Sequence, residues 1–484
     1  MTRVLVIGAG IAGLSAALAM QAKGFAVQLL ERDPPPPDAF DPTTVSPWRR
    51  RGAPQVPHPH FLMGGLRNLI YAHHPNLVHE LLRAGVWELP FSETLHPVAK
   101  SNYVEEPGDA QLTAFVSRRS TLEVVIRRYV EALPRVEVIS NCEVDRLVFE
   151  PDRKPLTAIG VVARRDHSET IELRGDLVID ASGRSGRLDR QLRDAGADIR
   201  DEHFESGDVY FTRQYRLLPG QKYAPLHGLP AIITSDYTIG MLPADNGYFT
   251  ITIAVWKDDP VLYEAVKDPA KFEAFCRLIP RAAGWIDPAF AAPVNTIVYG
   301  FGGLDSFWRT TVVDGAPQVL GLFFLGDTAV RTNPKYGRGC TWGFTQAHLL
   351  ADIVEREHDA VCRVVEYEAA LHAAFRSNWN TTLSMDRDRY RQFQAKLFGK
   401  TLSLADRVSE RLDDLIIQRG MRADAHLHRA IMTGYHGLAG LADWAKNPRV
   451  WAHALKILFS PATKQLPDPI PPRPQVVESL GGRT

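Results

Sequence analysis

Three features of the sequence predict an α/β fold that joins a Rossmann-like strand–helix–strand unit to an inserted β-rich domain and a helical C-terminal region. The apolar run RVLVI (3–7), a glycine-rich turn, a helix-compatible stretch (11–23) and a second apolar run, AVQLLE (26–31), follow one another at the N-terminus. Short runs rich in β-branched residues on either side of a helical stretch are the pattern of a parallel unit. From about 205 to 300 the chain alternates in the manner of strands and is rich in aromatics, as in DVYFTRQYRLL and YFTITIAVW, and beyond 340 it is mostly helical. At 484 residues it exceeds what one hydrophobic core serves, so two or three structural units are expected.

The elements follow in order. The prolines at 34–37 break the chain after the second run. Leu122, Val125, Ile126 and Tyr129 recur at helical spacing within 119–132, and short strand-like runs succeed them at VEVIS, EVDRLVF, AIGVVAR, ETIELR and DLVIDASG. Helical stretches interrupt the β-rich region near 260–286, a further helix is expected over 340–356, and LPDPIPPRP reads as an extended proline-rich tail. The expected units are 1–75, 100–190 and 300–370 as a discontinuous nucleotide-binding domain, 76–99 and 191–299 as a β-rich substrate domain, and 371–484 as a C-terminal helical region.

Gly8, Gly10 and Gly13 fit GxGxxG between the first run and the first helix. The first glycine permits a tight turn, the second admits a pyrophosphate close to the backbone, and the third lets helix and strand pack. Glu31 ends the second run, where a carboxylate accepts bonds from ribose hydroxyls and disfavours a 2′-phosphate, so FAD or NAD is expected rather than NADP.

A second glycine-dense stretch, GDTAVRTNPKYGRGCTWGF (326–344), separates these two. The run LFFL delivers Gly326 and Asp327 at a strand end, and a Pro-Gly loop leads into a helix. Asp327 is placed to accept a bond from a polyol such as the ribityl chain of FAD, and the 337–341 region offers backbone amides at a helix start. Nicotinamide cofactors have no ribityl chain. A capping aspartate in a plain strand–turn–helix connection is the alternative.

With these motifs the chain resembles the FAD-dependent aromatic hydroxylase-like monooxygenases of the glutathione-reductase-type fold. The resemblance rests on GAGIAGLSAAL with Glu31, on SRRSTLE (117–123), on DLVIDASGRSGRL (176–188) and on GDTAVRTNPKYGRG, and covers residues 1–370. RRRGAPQVPHPHFL (49–62) is similar to a stretch in a branch that includes bacterial polyene epoxidases. The resemblance implies a three-layer FAD-binding domain, with cofactor contacts at Gly8, Gly10, Ile11, Ala12, Gly13, Glu31, Arg32, Arg51, Arg119, Val144, Asp180, Gly326, Asp327, Pro334, Gly337, Gly339, Cys340 and Thr341. Gln55 and His60 would then lie near the flavin ring, and Arg49 to Arg51 read equally as a solvated basic run.

The implied reaction is insertion of one oxygen atom from O2 into an apolar or aromatic molecule, by hydroxylation or epoxidation through a flavin hydroperoxide. NAD(P)H or a separate flavin reductase supplies the electrons. His60, Tyr210, Phe211, Tyr215, Phe249, Phe301 and Trp342 are the candidates to line the substrate pocket; the catalytic chemistry is flavin-borne, with no protein nucleophile or base nominated. A reductase or dehydrogenase of an isoprenoid-like or polyene chain is the alternative. Halogenation is disfavoured because WxWxIP is absent. A flavin-holding or partner-binding role would use the C-terminal stripes Leu404, Val408, Leu412, Leu415 and Trp451, Leu455, Leu458, Phe459.

Composition narrows the classes further. Hydrophobic residues at 45%, charged residues at 23% and a net charge of zero give no electrostatic footprint for nucleic acid. The four cysteines lack metal or disulfide spacing and suit a reducing compartment. His58 and His60 lack the companions of a metal site. With no apolar run of about eighteen residues and motif residues starting at once, a cytoplasmic protein without a spanning helix is expected.

Overall fold

The structure is a computed structural model that describes residues 2–46, 48, 50–226, 230–459 and 470–482. Arg49, of the basic run, and 466–469 of the proline-rich segment lie outside the described residues. At its centre is a five-stranded parallel sheet in the order Leu322–Phe324, Leu177–Asp180, Arg3–Ile7, Ala26–Leu30, Val136–Ile139. Strands so buried need no alternation, and Val4, Leu5 and Val6 are all fully buried. The helices Ile11–Ala22 and Gly339–Arg356 pack against each other, and the antiparallel strands Cys142–Phe149, Leu156–Arg165 and Glu169–Arg174 contribute Leu147, Val161 and Ala163 to the same core.

The β-rich insertion is a six-stranded antiparallel sheet built on Asp208–Leu217, Tyr237–Pro243 and Tyr248–Trp256. Three short helices, Pro260–Ala265, Pro269–Arg277 and Pro280–Trp285, cover one face, each opening on a proline whose fixed φ suits a first helical turn. The stretch 76–99 contributes Trp87–Leu89, which joins Phe61–Leu62 and Ala114–Val116 in a small separate sheet.

A 39-residue helix, Ala360–Phe398, links the two regions. Asp359 caps it by accepting the Val361 and Cys362 amides at 2.9 and 2.8 Å, and Gly399, at φ +65°, ends it. Val364, Tyr367, Leu371, Phe375, Trp379 and Leu383, spaced by three or four, face the core of the parallel sheet, and Phe393 stacks on Trp256 of the insertion at 5.2 Å.

One expectation for the C-terminal part is corrected. The proline-rich segment does not end as an extended tail: Arg473–Ser479 is a helix that buries Val476 and Val477 in the core of the insertion and pairs Arg473 with Asp259 at 2.5 Å. Pro472 and Pro474 fall at its start, where a missing N–H costs nothing. Of the apolar stripes, Leu404, Leu455 and Phe459 are 74%, 56% and 80% exposed. Among the described residues no helix is long and apolar enough to cross a membrane.

Candidate functional site

A cavity of about 840 Å3 runs between the parallel sheet and the insertion. At one end is the N-terminus of the first helix. Gly8 sits at φ +94°, and a Cβ there would lie 2.7 Å from the Ala181 carbonyl oxygen. A Cβ on Gly13 would fall 1.8 Å from the Gly8 oxygen, whereas one on Gly10 meets nothing within 4 Å, as befits the residue open to the cavity. The first bond of the helical ladder is Leu14 N–H to the Gly10 carbonyl at 2.9 Å, which leaves the amides of Ile11, Ala12 and Gly13 without a helical acceptor. No acidic side chain occupies the first turn and no side chain caps it.

The second glycine-dense stretch reaches the same cavity. A Cβ on Gly326 would approach the Ala12 Cβ to 2.6 Å, so the two stretches touch. The Asp180 carbonyl accepts the Leu325 N–H at 2.9 Å and the Thr328 hydroxyl at 2.6 Å, and Gln346 accepts the Gly326 amide at 2.6 Å. The turn is thereby fixed on both the neighbouring strand and the following helix. That helix begins uncapped: its first ladder bond is Trp342 N–H to Arg338 O, and the amides of Gly339, Cys340 and Thr341 precede it. The Asp327 carboxylate caps neither helix; its charged neighbour is Arg184, 3.7 Å away.

A buried charge network lines the wall between these ends. Glu31 accepts the Ala9 and Asp33 amides at 2.7 and 2.9 Å and Arg50 at 2.9 Å. A carboxylate has about four lone-pair sites, so one remains for a further hydroxyl. Arg50 also bonds Asp33 at 3.1 Å and Glu123 at 2.6 Å, and Glu123 bonds Arg119 at 2.5 Å. Arg119 in turn donates to the Cys340 sulfur at 3.0 Å. Burial pushes the Cys340 thiol up from its ordinary value, so it stays protonated at neutral pH.

The far end is formed by the insertion and is apolar, with Ala231, Ile233, Leu242, Ala254 and Phe301 on its walls. Its polar groups are few and held. Tyr210 donates its hydroxyl to Asn333 at 2.5 Å. His58 Nδ1 meets the Thr212 hydroxyl at 2.8 Å, Thr212 meets Thr252 at 2.7 Å, and His60 Nδ1 meets the His58 carbonyl at 2.9 Å. Burial lowers His58 to about 4; burial, then the Arg119 charge, lowers His60 to about 3, so both are neutral at pH 7. Lys335 is neutralised by Asp208 and Asp386 at 2.7 and 2.5 Å.

Of the residues singled out in the sequence, Gly8, Gly10, Ile11, Ala12, Glu31, Arg32, Arg51, Arg119, Val144, Gly326, Asp327, Pro334, Gly337, Gly339, Cys340 and Thr341 line this one cavity, as do His60, Tyr210 and Phe301. Gly13 and Asp180 lie beneath its wall, where the Asp180 carboxylate holds the Ser182 amide at 3.0 Å. Four pocket candidates are displaced: Phe211, Tyr215 and Phe249 point into the core on the opposite face of the insertion sheet, and Trp342 packs on Phe375 at 4.9 Å. Arg51 stands at the cavity mouth with its side chain 72% exposed, 3.8 Å from Asp33, and the buried arginine of that run is Arg50, which sequence reasoning missed. Three successive arginines carry no signal of which one turns inward.

Residues 3–39 match the family described as FAD dependent oxidoreductase. Among solved structures the chain is similar to pqsL, a probable FAD-dependent monooxygenase from Pseudomonas aeruginosa (16% identity, 82% of this chain and 100% of that chain, TM-score 0.55). It is also similar to a mutant of 2-methyl-3-hydroxypyridine-5-carboxylic acid oxygenase (15%, 82% and 94%, 0.56) and to CmlS, a flavin-dependent halogenase (14%, 94% and 78%, 0.61). The chain has the fold of FAD-binding monooxygenases. At these identities the likeness establishes the FAD-binding fold and not the reaction. Among curated proteins none matches. The cavity fits the dinucleotide that this fold carries elsewhere: two uncapped helix starts, a carboxylate with a free acceptor site, and a side-chain-free gap at Gly10 all face it.

Proposed function

We propose that this protein is an FAD-dependent oxidoreductase that acts as a monooxygenase on an apolar or aromatic small molecule. The observation that carries the reading is the convergence of both uncapped helix N-termini on one cavity whose other end is apolar. Amides of the first helix would hold the pyrophosphate, Glu31 would accept a ribose hydroxyl, Asp327 would accept from the ribityl chain, and the amides at 339–341 would serve the flavin ring. Bound FAD supplies two-electron chemistry with O2. One oxygen atom would go to the substrate and the other leave as water, with two electrons and one proton drawn from NAD(P)H, directly or through a separate flavin reductase, and the second proton from solvent.

The chain's own contribution is positioning and exclusion of water. Ala231, Ile233, Leu242 and Phe301 give a dry chamber without an unpaired carboxylate, suited to a neutral, largely apolar substrate. Burial holds the Tyr210 phenol well above its ordinary value, so it remains a protonated donor fixed on Asn333. Neutral His58 and His60 offer hydrogen bonds without charge.

The test is twofold. Apoprotein titrated with FAD should bind it and turn yellow, and reduced holoprotein given labelled O2 and an aromatic or polyene substrate panel should return product heavier by one labelled atom. FAD binding with product oxidised or reduced but unlabelled would replace the monooxygenase reading with a dehydrogenase or reductase. Absence of FAD binding at micromolar concentration would overturn both.

A further inference from the structure

A second cavity, of about 120 Å3, lies between the start of the Gly339–Arg356 helix and the end of the Ala425–Tyr435 helix. No aspartate or glutamate lines it, and its buried polar side chains present donors. Arg338, 3% exposed, gives one guanidinium N–H to the Gly434 carbonyl at 2.6 Å, but its Nε–H has no acceptor and no carboxylate among the described residues pairs with its charge. His436, 1% exposed, accepts the Gly64 amide at Nδ1 at 2.8 Å. That bond puts the ring proton on Nε2, and the Nε2–H also lacks an acceptor. Asn378 uses its carbonyl oxygen on the Leu441 amide at 2.8 Å, which leaves its NH2 as a third donor.

The His436 arrangement is tightly specified. A Cβ on Gly64 would lie 2.7 Å from His436 Nδ1, and one on Gly65 would lie 2.5 Å from the His436 carbonyl oxygen, so the two glycines admit the ring and its backbone respectively. A buried guanidinium without a counter-charge, on the wall of the same cavity as a second donor without an acceptor, is costly unless a negative group answers both. Water would supply acceptors but no charge. Burial also drags Arg338 down to about 10, the direction expected of a cation without a partner anion.

We infer that this cavity binds a compact monoanion, either a free ion of halide or formate size or the carboxylate of an organic acid entering from the main cavity. Gly337, Arg338, Thr341 and Tyr435 line both cavities, so the two are immediate neighbours. At about 120 Å3, against about 840 Å3 for the main cavity, the second cavity suits a small ligand group. The site's donors are all protein groups, so it can be measured on apoprotein, separately from FAD binding.

Thermal unfolding of the full chain, at ionic strength held constant with a bulky sulfonate, should show a saturable rise in midpoint with sodium bromide or sodium formate. Arg338→Met, checked for native circular dichroism, should lose that rise; Arg338→Lys should retain it at higher ligand concentration. Crystals soaked in bromide or in 4-bromobenzoate locate the ligand by anomalous scattering whether or not the variants fold. A bromide peak between Arg338 and His436 supports a free anion. A 4-bromobenzoate carboxylate there, with bromine in the main cavity, supports the organic acid. No peak between Arg338 and His436 from either soak overturns the site, as does a midpoint rise undiminished in Arg338→Met.

Discussion

Replacing Asp327 by alanine separates a cofactor ligand from a structural turn residue. The turn itself is held by backbone and by Gln346, Thr328 and Asp180, none of which involves the Asp327 carboxylate. That carboxylate is 37% exposed and 3.7 Å from Arg184, a partly exposed pair of the kind that contributes ~0–1 kcal/mol. Stability should therefore change by less than about 1 kcal/mol. A charge-assisted bond to a ribityl hydroxyl contributes ~1.5–3 kcal/mol, so FAD affinity should fall by about ten- to a hundredfold. Urea unfolding of the apoprotein measures the first quantity and fluorescence-quenching titration with FAD the second. Loss of stability with unaltered FAD affinity would refute the assignment and make Asp327 a turn residue.

Arg50→Met strands Glu31, Asp33 and Glu123 without their shared cation and should cost ~3–5 kcal/mol in denaturant unfolding, while Arg51→Met, at an exposed site, should stay within ~0.5 kcal/mol. Gly13→Ala forces a methyl group to 1.8 Å from the Gly8 oxygen, so the glycine turn must shift; stability should drop by ~1–3 kcal/mol and FAD binding should weaken, read by the same two titrations. Acid should destabilise the fold through His74 and His348, whose Nε2 atoms meet at 3.2 Å and which burial lowers to about 4 and about 3. Both are neutral when folded and take up protons on unfolding, so their contribution is complete above about pH 6.5 and is lost as pH falls toward 4. His348→Gln should flatten the decline in urea midpoint between pH 7 and 4.5; an unchanged slope would remove this pair from the account.

The strands and helices of the nucleotide-binding half were legible because their signals are local. A β-branched run, three glycines at fixed spacing and a terminal acid specify Arg3–Leu30 without reference to any distant residue. The family resemblance likewise led to the expectation that the stretches Gly8–Gly13 and Gly326–Gly339 meet, and residues of both line one cavity. Their direct contact, through Ala12 and Gly326, belongs to the tertiary structure. So does the choice among the aromatics of the insertion. In Asp208–Leu217 and Tyr248–Trp256, Tyr210 pairs with Ala254 and Thr212 with Thr252 on the cavity face, while Phe211 pairs with Ile253 and Tyr215 with Phe249 on the other. Alternation fixes which residues share a face, but it names the face only when one side meets water. Every residue of Tyr248–Trp256 is buried, because the cavity covers one side and the short helices cover the other, so no polar alternation marks the face that opens on the cavity. Arg50 and the helix Arg473–Ser479 were hidden likewise: which arginine of a run turns inward, and whether a proline-rich end finds a core to join, depends on surfaces contributed by residues as far as 214 positions away.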